Sequence, residues 1–129
     1  NIIFCCYPNC EPHEDYINEI SKLFKNCNIS FISDLNDSIK NFDVIYHTRY
    51  QCERHSKEKY DINHYQINKK NIKNMKESAI ILHPLPRGNE VTSDIDNDYR
   101  AKYFNQVKNG LYIRMALLYS IFNNNQDLL

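Results

Sequence analysis

Glycine is scarce in this sequence, which has two glycines among its 129 residues. A Gly-rich loop of the kind that cradles the phosphates of a nucleotide is therefore excluded. Long hydrophobic runs are missing too, because no apolar stretch approaches the roughly 20 residues that a membrane-spanning helix needs. An excess of one charge is missing as well, since the net charge is zero. These absences argue against nucleic-acid-binding and membrane-spanning proteins.

The hydrophobic fraction, 42%, and the charged fraction, 25%, are those of an ordinary globular chain that is long enough for one domain with a core. The sequence has no signal peptide. It also has no initiator methionine and opens directly on the apolar run Ile2–Phe4. We therefore expect it to be a piece of a longer protein.

Five cysteines are present: Cys5, Cys6, Cys10, Cys27 and Cys52. Their number is odd and their spacing fits no zinc-binding template. Free, partly buried thiols in a reducing compartment, the cytoplasm, explain them better than disulfides or a metal.

Three alternating aspartates, Asp94, Asp96 and Asp98, resemble half of a calcium-binding loop. The central Gly and the terminal Glu that such a loop needs are missing. We therefore expect no metal site, and nothing in the sequence indicates a cofactor.

Apolar residues recur alternately with strand spacing and with helix spacing along the chain. The predicted strands are 2–6, 28–32, 44–47 and 79–82, and the predicted helices are 12–25, 35–40, 64–75 and 101–122. This alternation predicts an α/β fold, in which a parallel β-sheet is flanked by helices in a Rossmann-like three-layer arrangement with a long C-terminal helix. Because parallel strands end at one edge of a sheet, Tyr7, His47 and His83 are expected to face one crevice.

The fourth predicted strand ends abruptly at two prolines, Pro84 and Pro86, which cannot donate hydrogen bonds to a ladder. An X-Pro bond at this point can be cis, and a cis bond would turn the backbone carbonyls out of the sheet. The sequence thus predicts a ligand site of backbone oxygens, flanked by His83 and Arg87.

Arg49 follows the third predicted strand, where its guanidinium would offer a fork for a carboxylate or phosphate. Gln51 can point the same way, and Glu53 can hold the arginine in place. The stretch from residue 48 to 61 has no clear period and is a candidate closing loop.

Each of these residues also has a plainer interpretation. Arg49 and Arg87 can be surface arginines in solvated ion pairs, and His83 can be a histidine bonded to a neighbouring backbone group. Taken one residue at a time, the plainer interpretation is favoured.

Two motifs together resemble the aspartate carbamoyltransferase family. Tyr46–Arg54 is similar to that family's Tyr-x-Thr-Arg-x-Gln-x-Glu-Arg signature. A second set of residues resembles, in order, the C-terminal region of the family: His83–Arg87, Glu90, Asp94, Tyr103–Gln106, Asn109–Gly110 and Arg114–Leu118. The resemblance covers essentially the whole chain and is strongest after residue 42.

The resemblance implies transfer of the carbamoyl group of carbamoyl phosphate to L-aspartate, which gives N-carbamoyl-L-aspartate and phosphate in de novo pyrimidine biosynthesis. It implies two α/β domains and a homotrimer with shared active sites. Residues 1–98 would be the aspartate-binding domain, which here lacks its first strand and the helix that follows it. In the family that strand is normally central in the sheet. Residues 99–129 would form the C-terminal helix, which packs on the carbamoyl-phosphate domain.

The resemblance also implies roles for individual residues. Arg49 and Gln51 would bind an aspartate carboxylate, and Glu53 and Arg54 would belong to the closing loop. The backbone carbonyls of Leu85 and Pro86 would hold the amino and carbamoyl groups, across a cis Leu85–Pro86 bond.

No catalytic residue is expected within this chain. The family's Ser-Thr-Arg-Thr loop for carbamoyl phosphate and the catalytic histidine after it are not in the sequence, so the chain alone is expected to be inactive.

Two alternatives stay open. Ornithine carbamoyltransferases typically carry Cys where this chain has Pro84, so Pro84, Arg49 and Gln51 favour aspartate. A catalytically inactive piece that serves as an assembly or binding module is the other alternative.

Overall fold

The computed structural model describes residues 1–49 and 61–123. In chain order its strands and helices are β1 (Ile2–Cys5), α1 (Glu14–Leu23), β2 (Ile29–Ile32), α2 (Leu35–Ser38), β3 (Val44–Tyr46), β4 (Ile80–Leu82) and α3 (Tyr103–Phe122). The strands pair in parallel and helices lie between them in sequence, so the predicted α/β class with a long C-terminal helix is confirmed.

Capping side chains set where the first two helices begin. At α1 the ring of His13 accepts a hydrogen bond from the backbone N–H of Asp15. At α2 the carboxylate of Asp34 accepts one from the backbone N–H of Asn36. The N–H groups of a first helical turn have no partner within the helix, so these caps start each helix soon after the preceding strand.

The four strands form two separate pairs rather than one continuous sheet. One pair is β1 with β2, in which Ile2 is opposite Ile29, and the other is β3 with β4, in which Ile45 is opposite Ile81. Strands β1 and β3 both line a cleft of about 680 Å³ between the two pairs. Within the described part of the chain, each of these two strands is paired along one edge.

The cleft has apolar walls. On β3, the exposed fractions of Val44 and Tyr46 are 53% and 57%, and on β1 Ile2 and Ile3 are exposed too. Strand edges that present unpaired backbone groups and apolar side chains are normally covered by another element.

The hydrophobic core lies around β4. Its buried members are Leu35, Ile39, Ile45, Ile67, Ile72, Met75, Ala79, Ile81, Val91, Ile95, Ala101 and Tyr103. Ile81 is fully buried at the centre of β4. Its N–H donates to the carbonyl of Arg100 and its carbonyl accepts from the N–H of Lys102, along the edge of β4 opposite β3. Both edges of β4 are therefore paired.

The prediction of a helix over residues 64–75 is wrong. Two 3-10 turns, Ile62–His64 and Ile72–Asn74, lie in this stretch instead. Between the turns, Ile67 runs parallel to Val91 and bridges to it through backbone hydrogen bonds.

Asparagine side chains explain the difference. The side-chain oxygen of Asn68 accepts hydrogen bonds from the backbone N–H groups of Lys70 and Asn71. Asn71 in turn donates to the carbonyl of Gln66. Such local side-chain bonds compete with the backbone bonds of a helix. Three apolar side chains of this stretch are nevertheless buried: Tyr65, Ile72 and Met75.

Helix α3 runs without a break through Asn109 and Gly110. Tyr103 and Ser120 are buried, whereas apolar side chains on every face are exposed. The exposed ones are Phe104, Val107, Leu111, Tyr112, Ile113, Met115, Leu117, Leu118, Tyr119, Ile121 and Phe122. Among residues 1–49 and 61–123, no helix is long and apolar enough to cross a membrane.

A matched pair of isoleucine substitutions tests where the core lies. Ile81→Ala should lower the free energy of unfolding of this chain by about 2–5 kcal/mol, because it opens a cavity in packed surroundings. Ile113→Ala removes the same atoms from a side chain that is 61% exposed on α3 and should cost much less. Urea denaturation of both variants measures the difference, and equal losses would contradict this placement of the core.

Candidate functional site at the carboxyl ends of the strands

The carboxyl ends of β3 and β4 lie side by side, as predicted. The N–H of His47 donates to the carbonyl of Leu82 at 2.9 Å and so extends the ladder past the end of β3. The imidazole rings of His47 and His83 stack with their centroids 6.2 Å apart. The residues that follow each strand, including Arg49 and Leu85, therefore emerge at one edge.

The end of β1 reaches the same region. The ring of Tyr7, just past β1, lies 4.0 Å from the ring of Tyr65 between centroids. Tyr7, Tyr65, His47 and Arg49 all line the cleft between the two strand pairs. Tyr7 and His47 thus line one crevice, as predicted, whereas His83 stacks on His47 but is fully buried and does not line it.

His83 is fully buried, and both of its ring nitrogens are bonded. Nδ1 accepts a hydrogen bond of 2.9 Å from the backbone N–H of Leu85. A neutral imidazole with an accepting Nδ1 carries its proton on Nε2. That Nε2–H donates to Oε1 of Glu90 at 2.9 Å. The plainer interpretation of His83, a bonded histidine at a strand end, is therefore correct.

Burial lowers the pKa of His83, and the hydrogen bond to Glu90 acts against that shift. A buried imidazole is desolvated, which disfavours its charged form. His83 thus stays neutral around pH 7 and has no ring nitrogen left for proton transfer to a ligand.

The chain turns sharply after β4. The Leu85–Pro86 peptide bond is cis, as the resemblance implied, and Leu85 has a positive φ of 49°. Glu90 holds the far side of the turn, since its Oε1 also accepts the backbone N–H of Gly88 at 2.8 Å. Gln106 of α3 holds the near side by accepting the backbone N–H of His83.

Glu90 and Gln106 entered the interpretation of the sequence only as part of the family resemblance, without a structural role, and Gly88 did not enter it. A signal for Glu90 existed, because an acidic residue two positions after a glycine and seven after a histidine can close a turn onto both. That signal is weak without knowledge of which side chains are buried. Gln106 is 23 residues from His83, and no local pattern connects them.

Arg87 is committed to an ion pair. Its guanidinium bonds both carboxylate oxygens of Asp96, through Nη1 and, at 2.7 Å, through Nη2. Tyr103 donates its hydroxyl to the same carboxylate, and its ring lies 5.3 Å below the guanidinium. The hydrogen bond from Arg87 lowers the pKa of Asp96, and burial above all raises the pKa of Tyr103 to about 12. Arg87 therefore locks the turn to α3.

The three alternating aspartates take separate partners. Asp94 accepts from the hydroxyl of Thr92, Asp96 bonds Arg87, and Asp98 bonds Arg100. In the parts of the chain that the structure describes, no group of three or more histidine, cysteine, aspartate or glutamate residues is placed to hold a metal ion.

Arg49 lies in the described part of the chain, exposed at the rim of the cleft. Three other predicted site residues, Gln51, Glu53 and Arg54, lie outside the described residues. Leu85 is half-buried and Pro86 is exposed, so the backbone of this turn is accessible at the surface. The site that the structure offers is therefore a guanidinium after one strand and a carbonyl-bearing turn after its neighbour.

The cysteines in the described part of the chain form no disulfide. Cys5, Cys6, Cys10 and Cys27 are partly buried, and none of them is bonded to another through sulfur, as predicted. Burial raises the pKa of Cys5 to about 11 and also raises the pKa of Cys6. A thiol with a raised pKa stays protonated at neutral pH and is a poor nucleophile. Cys52 lies outside the described residues.

Three comparisons relate this chain to known proteins. Residues 1–121 match the family described as "Aspartate/ornithine carbamoyltransferase, Asp/Orn binding domain". The chain is 48% identical over 98 residues to the aspartate carbamoyltransferase catalytic subunit of Picrophilus torridus, over 73% of this chain and 32% of that protein. It is 39% identical over 114 residues to the Alkaliphilus oremlandii subunit of the same name, over 86% of this chain and 34% of that protein.

The fold is also similar to a solved structure. Aspartate transcarbamoylase from Trypanosoma cruzi, in complex with aspartate and phosphate, superposes with a TM-score of 0.80 at 29% identity. The match covers 92% of this chain and 37% of that one. The chain thus spans about a third of the length of these relatives. Family match, sequence identity and fold agree, and the chain belongs to the aspartate/ornithine carbamoyltransferases, in which it corresponds to the domain that binds the amino acid.

Proposed function

We propose that the protein containing this chain transfers the carbamoyl group of carbamoyl phosphate to L-aspartate and releases phosphate, in de novo pyrimidine biosynthesis. The observation that carries the proposal is the edge shared by β3 and β4. There, the guanidinium of Arg49 follows one strand, and the cis Leu85–Pro86 turn follows the other. The relatives named as aspartate carbamoyltransferases support aspartate over ornithine.

The chemistry of aspartate suits these two features. Aspartate brings two carboxylates, and a guanidinium, aided by Gln51, binds a carboxylate through two parallel hydrogen bonds. The N–H groups of the attacking amine can donate hydrogen bonds to the carbonyls of Leu85 and Pro86. The amine nitrogen forms a bond to the carbamoyl carbon, the bond from that carbon to the phosphate oxygen breaks, and one proton of the amine leaves with the phosphate. Orientation and electrostatic stabilisation, without a covalent intermediate, carry such a reaction.

Other groups in the reaction must come from elsewhere. His83 and Arg87 are bonded to Glu90 and Asp96, so neither is available for the phosphate. We place the carbamoyl-phosphate loop and the catalytic histidine outside these 129 residues, and we expect the chain alone to be inactive. Glu53 and Arg54 would belong to a loop that closes over bound aspartate.

The same proposal assigns the two incomplete surfaces of the chain. Residues 1–98 would form the aspartate-binding domain without its first strand. The cleft between β1 and β3 would receive that strand. The exposed apolar side chains of α3, within residues 99–129, would pack on the carbamoyl-phosphate domain. Apolar surfaces of this extent normally mark sites of contact. A homotrimer with shared sites and a cytoplasmic location complete the proposal.

Arg49 is the first residue to test in the full-length protein. Arg49→Ala should raise the KM for L-aspartate roughly a hundredfold, equivalent to about 3 kcal/mol, because a carboxylate would lose its charged partner. Arg49→Lys should recover part of the loss, since lysine keeps the charge without the fork. Steady-state kinetics with varied aspartate measure both variants.

The control is Lys22→Ala, which removes an exposed cation from α1, remote from this edge. It should leave the KM unchanged. A KM for aspartate in Arg49→Ala equal to that of the wild type would contradict the assignment of Arg49.

The composition of the natural protein is the second test. We expect an intact mass well above 15.4 kDa and carbamoyl transfer to aspartate, because the phosphate-binding groups must be supplied by further sequence. Mass spectrometry with N-terminal sequencing, followed by a carbamoyl-aspartate assay, decides it. A mass near 15.4 kDa with no transfer would instead favour an inactive module that assembles with other subunits.

A further inference from the structure

We propose that the buried His83–Glu90 pair positions the Leu85–Pro86 turn, so that the backbone carbonyls of this turn are held in place for the substrate. The inference rests on the proposed function for the role of the carbonyls. It goes beyond that function by assigning work to two side chains that reach no ligand themselves.

The His83–Glu90 pair is buried, so its hydrogen bonds to the protein replace those to water. The exposed fractions are 0% for His83 and 3% for Glu90. A carboxylate removed from water costs free energy unless its hydrogen bonds are replaced. Here two hydrogen bonds replace those to water: Oε1 of Glu90 accepts from the N–H of Gly88, within the turn, and from the Nε2–H of His83, just before it.

The bonds of the pair enclose the turn. His83 Nδ1 holds the N–H of Leu85 at 2.9 Å, and Glu90 holds the N–H of Gly88 at 2.8 Å. The Leu85–Pro86 bond lies between these two anchored positions. The direction of the two carbonyls is thus fixed by one continuous path, from Leu85 through His83 and Glu90 to Gly88.

The hydrogen-bond directions of the pair suit this role. Oε1 of Glu90 accepts two hydrogen bonds, one of them from the Nε2–H of His83. With the proton of the ring on Nε2, Nδ1 is left as the acceptor that Leu85 needs. Without the carboxylate, the ring proton would no longer be held on Nε2. A ring with its proton on Nδ1 could not accept the N–H of Leu85.

Gly88 shows how closely the carboxylate is packed. A Cβ built at Gly88 would lie 2.9 Å from Oε2 of Glu90. Since Glu90 is buried and bonded, its carboxylate has little room to move aside. Gly88→Ala should therefore displace the carboxylate without removing it, which gives a second, independent perturbation of the same path.

The test compares Glu90→Ala with the conservative variant Glu90→Gln in the full-length protein. Glutamine keeps an oxygen that can accept from Gly88 and His83, so Glu90→Gln should stay within about threefold of the wild-type kcat. Glu90→Ala and Gly88→Ala should lower kcat by about tenfold to a hundredfold, the scale for a misplaced reacting group. The KM for aspartate should change less than in Arg49→Ala, because the guanidinium that would bind the carboxylate is untouched.

Asp98→Asn is the matched control. Asp98 forms a partly buried ion pair with Arg100, whose guanidinium also donates to the carbonyl of Met75 before β4 begins, whereas the turn follows the other end of β4. It should lower the melting temperature without lowering kcat. If Glu90→Ala lowers the melting temperature as Asp98→Asn does and leaves kcat intact, the pair is merely structural and the proposal is overturned.

A readout that does not depend on activity separates this inference from the proposed function. Hydrogen exchange at the Leu85 amide, followed by NMR in ¹⁵N-leucine-labelled full-length protein, should be slow in the wild type and in Glu90→Gln, and at least tenfold faster in Glu90→Ala. Equal protection in all three would overturn the positioning role. A wild-type protein that transfers no carbamoyl group would overturn the proposed function, while the Leu85 amide would still decide the role of the pair.

Discussion

The pairing of β4 along both of its edges is the constraint on which the rest of the structure depends. Strand β3 lies on one edge, and the backbone on either side of Ala101 lies on the other. Because Ile81 is fully buried between them, β4 cannot shift without breaking the core. Its carboxyl end therefore starts the Leu85–Pro86 turn at a defined place, and the chain returns to the same strand immediately before α3 begins.

Within the described residues, two polar side chains at this edge, His83 and Arg87, already have partners in the protein. His83 is satisfied by Glu90 and Arg87 by Asp96, and both pairs connect the turn to elements behind it. Polar groups that find such partners stiffen their surroundings, because any displacement would leave one of them unsatisfied. Pro86 and Arg49 are exposed at this edge, and the proposed function assigns them the amine and a carboxylate of aspartate respectively.

Two apolar surfaces, which we propose as contact sites for the rest of the protein, adjoin elements that support this site. The walls of the cleft between β1 and β3 belong to the strands that lead to the site, and α3 carries Gln106, which bonds the backbone of His83. Covering either surface would act on elements that support the turn. The proposed binding of substrate and the proposed contacts with further domains therefore share the same supports, which is a physical reason for the domain to work inside a larger molecule.

The sequence by itself determined the parallel α/β class, the strands, the long last helix and the abrupt turn after β4, because apolar periodicity and proline act locally. It also placed Arg49 and Leu85 at strand ends, and the resemblance implied the cis bond. Only the tertiary structure decided that asparagine side chains replace a helix before β4, that the strands form two pairs, and that Arg87 is bound to Asp96. It alone joined His83 to Glu90, because that contact depends on burial and on the path of the turn, which local pattern does not specify.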